Sequence, residues 1–334
     1  MYALVTAGLR FIGSVTDRLP ACLCCLLLAA CTAPAYREPS VNVPDAHGGG
    51  SEVALHPDAT LLASGGWAGQ LRLWQLPGGK AYGSWRAHRG ELTGIFFVDN
   101  GEALLTCGLD ARLVLWDLRG RLQEAALTSS PIAACAGEEG ADTVLTGHWD
   151  GTVRAWRLSD LTPVERWPLH DDRVLAVAIH PGGWIASGGA DGQVYILMRG
   201  QAPHRLEAPA SDARALAFHP AGRWLYAAGW FALSRWDLAT GARQVLKTEH
   251  RGLINSIWFT ADGSSLASVS KQTDSAVLFL DPHTGATRAR FRPHALCGAS
   301  VRTSGDGRIV VSSAADGSVR IWVNTEGFFQ AGQR

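Results

Sequence analysis

From about residue 51 onward, the chain is written in short blocks in which apolar and polar residues alternate, and no stretch keeps a helical period. Strict alternation places every second side chain on one face of a strand, so the body of the chain predicts many short strands. A block such as Leu61-Leu62-Ala63-Ser64-Gly65 is followed by a tight turn and then by a block that ends in tryptophan. Asp150-Gly151-Thr152-Val153-Arg154-Ala155-Trp156 is the clearest turn-plus-strand unit, and Asp110-Ala111-Arg112-Leu113-Val114-Leu115-Trp116 and Asp316-Gly317-Ser318-Val319-Arg320-Ile321-Trp322 are close copies. Asp-Gly suits such a turn because glycine reaches positive φ without a steric penalty.

Aligned on the closing position, the units end at Trp74, Trp116, Trp156, Leu197, Trp236, Leu280 and Trp322, at intervals of 39 to 44 residues. Each unit opens with a strand that runs into a turn, such as His56-Pro57-Asp58, His180-Pro181-Gly182 or His219-Pro220-Ala221. Each closes with a more polar strand, as in Lys80-Ala81-Tyr82-Gly83-Ser84-Trp85. Seven strand-rich units at regular spacing are the signature of a repeat architecture. The 38 glycines and 13 tryptophans fit that reading. Lys plus Arg and Asp plus Glu both number 30, without basic blocks, which argues against nucleic acid as the main partner. Of the seven cysteines, Cys22, Cys24, Cys25 and Cys31 crowd the start. Cys107, Cys135 and Cys297 lie in strand-like apolar segments and are expected to be buried core thiols rather than a disulfide framework.

The closing dipeptides Trp116-Asp117 and Trp236-Asp237 make the repeat resemble the WD40 family. That resemblance implies an all-β fold, a seven-bladed β-propeller with four-stranded antiparallel blades over residues 51–330. In the family a His, a Ser or Thr, an Asp and the Trp are hydrogen-bonded within one blade. His88, Thr106, Asp110 and Trp116 match that set, as do His294, Ser312, Asp316 and Trp322. The third unit keeps Thr146, Asp150 and Trp156 without a His; the fourth keeps His170, Ser187 and Asp191, and the sixth His250, Ser270 and Asp274. The first and fifth are more degenerate, with Ala68 and Trp230 at the Asp position. The first unit begins at its innermost strand, so the last blade needs an outer strand from elsewhere. Gly327-Phe328-Phe329-Gln330 or Val41-Asn42-Val43 can supply it.

Leu19 to Ala30 is apolar, follows Arg10 and Arg18, and runs into Leu28-Ala29-Ala30-Cys31. The run has the length of a signal core rather than of a bilayer span. It resembles a bacterial lipoprotein signal, 1–30, which implies lipidation of Cys31 and anchoring in the cell envelope. Thr32 resembles the class sorted to the outer membrane, facing the periplasm. Residues 31–50, ending in Gly48-Gly49-Gly50, read as a flexible tether.

No Gly-x-Ser-x-Gly elbow, phosphate-binding loop or metal-spaced His pair occurs, and no cofactor or metal is expected. Trp67 and Trp149 stand one residue before the turn Asp position, and Trp230 stands at it. His148 lies beside Trp149, and the connections on that face carry Arg89, Asp171, Asp172, Arg173 and Arg251. Large aromatics interleaved with charge on exposed turns point to a protein- or peptide-binding surface. Trp184 and Trp224, near the opposite turns, are expected to pack. The function expected is a non-catalytic, lipid-anchored envelope scaffold, monomeric outside its complex. The alternative is a propeller enzyme or electron-transfer accessory with His148, Asp171 and Asp172 at the channel.

Overall fold

Four strands repeat around a ring, and the second blade shows the rule. Its strands Leu92–Val98, Ala103–Gly108, Arg112–Asp117 and Leu122–Leu127 pair antiparallel in that order from axis to rim. All six residues of Ala103–Gly108 are buried, whereas Leu122–Leu127 is almost wholly exposed. The inner strands have a blade on either side and so carry apolar side chains on both faces, while the rim strand meets water. The computed structural model describes residues 35–325 apart from 138–141, 199, 210 and 273, and the propeller lies within the unit that starts at Tyr36.

Seven four-stranded sheets make seven blades. Each pair of neighbours is joined by its own apolar cluster. Between the first and second blades, Ala63, Leu71 and Leu73 meet Leu104, Val114 and Trp116. Burying one such leucine contributes about 1.5–3 kcal/mol relative to exposure, so the hydrophobic core is a set of inter-blade layers. Gly151 shows why the turns are glycine-rich: its φ is +74°, and a Cβ there would lie 2.0 Å from the carbonyl oxygen of His170. Both the conformation and the close approach demand glycine.

The ring closes through its amino-terminal end. Val41–Val43 pairs antiparallel with Val319–Val323, with Val41 opposite Ile321 and Val43 opposite Val319. The carbonyl of Arg37 accepts N–H bonds from Arg292 (3.0 Å) and from the Trp322 indole (3.0 Å), and Glu38 pairs with Arg292. Of the two closing strands foreseen, Val41-Asn42-Val43 serves; Gly327–Gln330 and Cys31 lie outside the described residues.

Two expectations are corrected. The stretch 31–50 is not all tether, since residues from Arg37 onward build blades. Gly49 and Gly50 are buried because they must be small: a Cβ on Gly49 would meet the Trp67 ring at 2.5 Å, and one on Gly50 the Ala314 carbonyl at 2.7 Å. Cys107 and Cys135 are not free core thiols but form a disulfide between the second and third blades, leaving Cys297 free. The strand pattern placed both residues inside the fold without showing that adjacent blades bring them side by side.

Candidate recognition face

The framework of the face is a hydrogen-bonded set beneath the turns of every blade except the fifth, where the Trp236 indole donates to the Glu207 carbonyl and the Trp230 N–H to Ser211. In the second blade, the Thr106 hydroxyl accepts the Trp116 indole N–H at 2.9 Å and lies 2.8 Å from His88 Nε2, while Asp110 accepts from His88 Nδ1 at 2.8 Å. The second carboxylate oxygen of Asp110 takes the backbone N–H of Arg89 at 2.9 Å. Burial lowers the His88 pKa and opposes the charge on Asp110, but the N–H groups of Arg89 and His88 outweigh it and hold Asp110 below its usual range. The same carboxylate-to-backbone bond recurs from Asp171 to Asp191, Arg251 to Asp274 and Ala295 to Asp316. The residue after each His is thus fixed at the surface by the buried set below it.

Four details depart from the sequence reading. His148 is fully buried, not part of the recognition face: its Nε2 lies 2.8 Å from Thr146 Oγ1, which accepts the Trp156 indole N–H at 2.7 Å. It supplies from the strand the histidine that the third unit lacks in its connection. His47 fills the first blade's histidine place from the connection, 2.8 Å from Ser64 Oγ, which accepts the Trp74 indole N–H at 2.8 Å. In the sixth blade His250 reaches Ser268, not Ser270, which instead donates to Asp274. Two extra turn residues displace the spacing between Ser268 and Asp274. In the seventh, Trp322 turns away from Ser312 to the Arg37 carbonyl, and His294 Nδ1 binds Ser318 at 2.9 Å while Asp316 stands 3.7 Å away.

Above this framework, Trp67, Trp149 and Trp230 are 48, 48 and 39% exposed. Such exposure is unusual for tryptophan in a well-packed propeller, so each ring has a face free for contact. The backbone N–H of Trp67 donates to Gly49 O, and that of Trp149 to Pro131 O, which gives the first and third blades matching placements. Trp230 instead bridges to Leu253 of the next blade and carries Phe231 beside it, 5.6 Å between ring centroids. Phe231, 54% exposed, was not foreseen; its only signal was its place next to Trp230.

Each tryptophan turn leans on the connection to the following blade. Gly69 packs on the His88 carbonyl, which brings the Trp67 turn to Arg89; Gly151 packs on His170 and Asp172, which brings Trp149 to Asp171, Asp172 and Arg173. Phe231 N–H binds Gly252 O, which brings Trp230 beside Arg251. Arg89, Asp171, Asp172, Arg173 and Arg251 are all exposed. Three aromatic-and-charged patches therefore occupy alternate blades of one face.

The central channel, about 740 Å³, is lopsided in chemistry. Glu52, Glu91, Lys271 and Arg302 line one side; Cys135, Leu175, Val177 and Ala217 line the other, with Arg214 as the one charged side chain among them. Arg302 lies over the Trp258 ring at 4.6 Å and 3.4 Å from Glu52, whose carboxyl is pushed up by burial against the pull of Arg302. Trp67 reaches the mouth, but His148, Asp171 and Asp172 do not line the channel, so they form no converging catalytic set there. Among the described residues, no three His, Cys, Asp or Glu side chains are grouped to hold a metal ion. On the opposite turns, His56, His180 and His219 each pack against a phenylalanine of the next blade, Phe97, Phe218 and Phe259. Trp184 stacks on His180 and Trp224 packs edge-on to His219, as packing residues should.

Comparison with known proteins agrees with this geometry. Residues 39–75, 79–117, 161–196 and 287–323 match the family described as WD domain, G-beta repeat. The chain is 34% identical to the small ribosomal subunit protein RACK1y of Oryza sativa subsp. japonica over 38% of this chain and 40% of that one. It is 29% identical to the ribosome biogenesis protein WDR12 homolog of Chlamydomonas reinhardtii over 41% of this chain and 34% of that one. To the methylosome protein WDR77 of Xenopus laevis it is 25% identical over 43% of this chain and 46% of that one. The aligned parts thus span less than half of each relative. Every matched segment starts before or within the outer strand of one blade and runs to the third strand of the next, the offset by which the ring is closed. The chain is a seven-bladed β-propeller carrying WD40 repeats.

Proposed function

We propose that this propeller is a non-catalytic scaffold that docks a protein or peptide on the face bearing Trp67, Trp149 and Trp230. The observation that carries the reading is the pairing of each exposed tryptophan with a charged connection on that face. Aromatic rings on rigid turns give contact area at little entropic cost, and charges at the rim select the partner. The matched relatives carry names of multi-protein assemblies, the small ribosomal subunit and the methylosome, which suits a scaffold. Balanced charge argues against nucleic acid as the main contact.

On this reading the chain belongs to the envelope of a bacterium, exported by its first 30 residues and held by lipid on Cys31, with the outer membrane's periplasmic leaflet as its site. The Cys107–Cys135 disulfide supports this, since such bonds persist in oxidising compartments and are rare in the cytosol. Radiolabelled palmitate incorporated into the wild type and absent from Cys31→Ser supports the anchor; equal labelling contradicts it. Crosslinking from Trp67, Trp149 and Trp230 should reach the partner, and crosslinks confined to the opposite turns contradict the docking face.

A further inference from the structure

The first blade has the histidine and the tryptophan of the buried set but Ala68 where five other blades place an aspartate, and two buried polar atoms of the same blade are left without a partner. His47 is only 5% exposed, and its Nδ1 has no hydrogen-bond partner. The Nε of Arg72, four residues after Ala68, is likewise buried and unpartnered, and among the described residues Arg72 has no ion pair. Arg72 is close enough that its charge adds to burial in lowering the His47 pKa to about 4. The third blade shows what belongs there: Asp150, at the Ala68 position, pairs with Arg154, the counterpart of Arg72, at 2.8 Å. In the second blade the equivalent Asp110 accepts from His88 Nδ1, and Gly108 underlies that ring as Gly66 underlies His47.

We propose that the first blade receives this carboxylate in trans, from an Asp or Glu side chain of the docked partner. The carboxylate would accept from His47 Nδ1–H and from the Arg72 guanidinium, as Asp110 and Asp150 do for their blades. The residue after His47 is Gly48, with nothing within 4 Å of a Cβ built on it, where the complete blades carry Arg89 or Asp171. Trp67, immediately before Ala68 and half-exposed, offers a wall for the backbone that bears the acid. A buried donor pair with no acceptor costs free energy, which a matching acid recovers on docking. This deepens the proposed function and rests on the same face, although it commits the partner to an acidic residue at the first blade.

The test uses the purified chain and two capped pentapeptides, Gly-Gly-Asp-Gly-Gly and Gly-Gly-Asn-Gly-Gly, with sodium acetate and sodium chloride at matched ionic strength as small-anion probes. The Asp peptide should raise Tm by about 2 °C at millimolar excess and the Asn peptide should not. In Ala68→Asp, which supplies the carboxylate in cis, the starting Tm should be higher and the response to peptide and acetate lost. Should that variant fail to fold, Arg72→Leu must lose the Asp response. Equal responses to the two peptides, an Asp response retained in both variants, or a response to acetate without one to the peptide overturns the proposal. Because no natural partner enters, a negative result here leaves the docking role of the tryptophans standing, and loss of capture by tryptophan variants leaves this result untouched.

Discussion

Trp322 donates its indole N–H to the backbone carbonyl of Arg37, 285 residues away in the chain, at 3.0 Å. In the second and third blades the same indole bonds to a threonine inside its own blade. The last blade has turned this contact outward to hold the amino-terminal segment that completes it.

Replacement of Trp322 by Phe should therefore cost about 1–2 kcal/mol, from the lost bond plus some packing, and act on closure. Removal of residues 36–43 should do more, because it bares the edge of Val319–Val323 to intermolecular pairing. Thermal unfolding with size-exclusion chromatography checks both, the second showing association as well as a lower Tm.

His148 and Trp149 are neighbours with opposite fates, one fully buried and the other 48% exposed. His148→Ala should destabilise by about 2–4 kcal/mol through a cavity and an unsatisfied Thr146 hydroxyl, with partner capture by the folded fraction unchanged. Trp149→Ala should change Tm little and weaken capture. Chemical denaturation beside a capture assay separates the two.

Acid should weaken the fold through His47 and His148. Burial lowers both pKa values to about 4, with Arg72 adding at His47 and Arg154 at His148. The unfolded chain takes up protons near pH 6.5 while the folded chain resists until about pH 4, so stability is full above 6.5 and falls as pH drops between them. Each histidine contributes on the order of 3 kcal/mol to that loss. Tm measured from pH 7.5 to 4.5 should decline, and His148→Gln should flatten part of the decline; a profile unaltered by the substitution contradicts the assignment.

The Cys107–Cys135 bridge closes a loop with a sequence separation of 28 and ties two blades together. Loop-closure entropy gives about 3.6 kcal/mol for it. Dithiothreitol, or Cys135→Ser, should lower Tm by several degrees, read by calorimetry; a reduced chain with unchanged Tm contradicts the bridge.

The fold was legible because each unit carries its own local cues: a period-two pattern, a glycine turn and a closing aromatic, seven times over. Contacts between units were not. Nothing local in Val41-Asn42-Val43 says that its partner is Val319–Val323, and the glycines beside Trp67 read as flexible until the ring against Gly49 is seen. His47 was within reach, since it precedes Ser64 by the 17 residues that separate His170 from Ser187. His148 was not, because a histidine two residues after Thr146 reaches that hydroxyl along its own strand rather than from a connection. The exposed tryptophans were visible as departures from the repeat, which is why eight of the nine residues proposed for the face lie on the surface and the buried exception is the one that completes a blade.

The most direct measurement is capture of partner proteins by the purified propeller, comparing the wild type with a variant carrying Trp67→Ala, Trp149→Ala and Trp230→Ala. Circular dichroism and Tm establish that both are folded. The variant should lose at least ten-fold in apparent affinity, about 1.4 kcal/mol or more, for partners that the wild type retains. Undiminished capture by the folded variant would contradict the docking face.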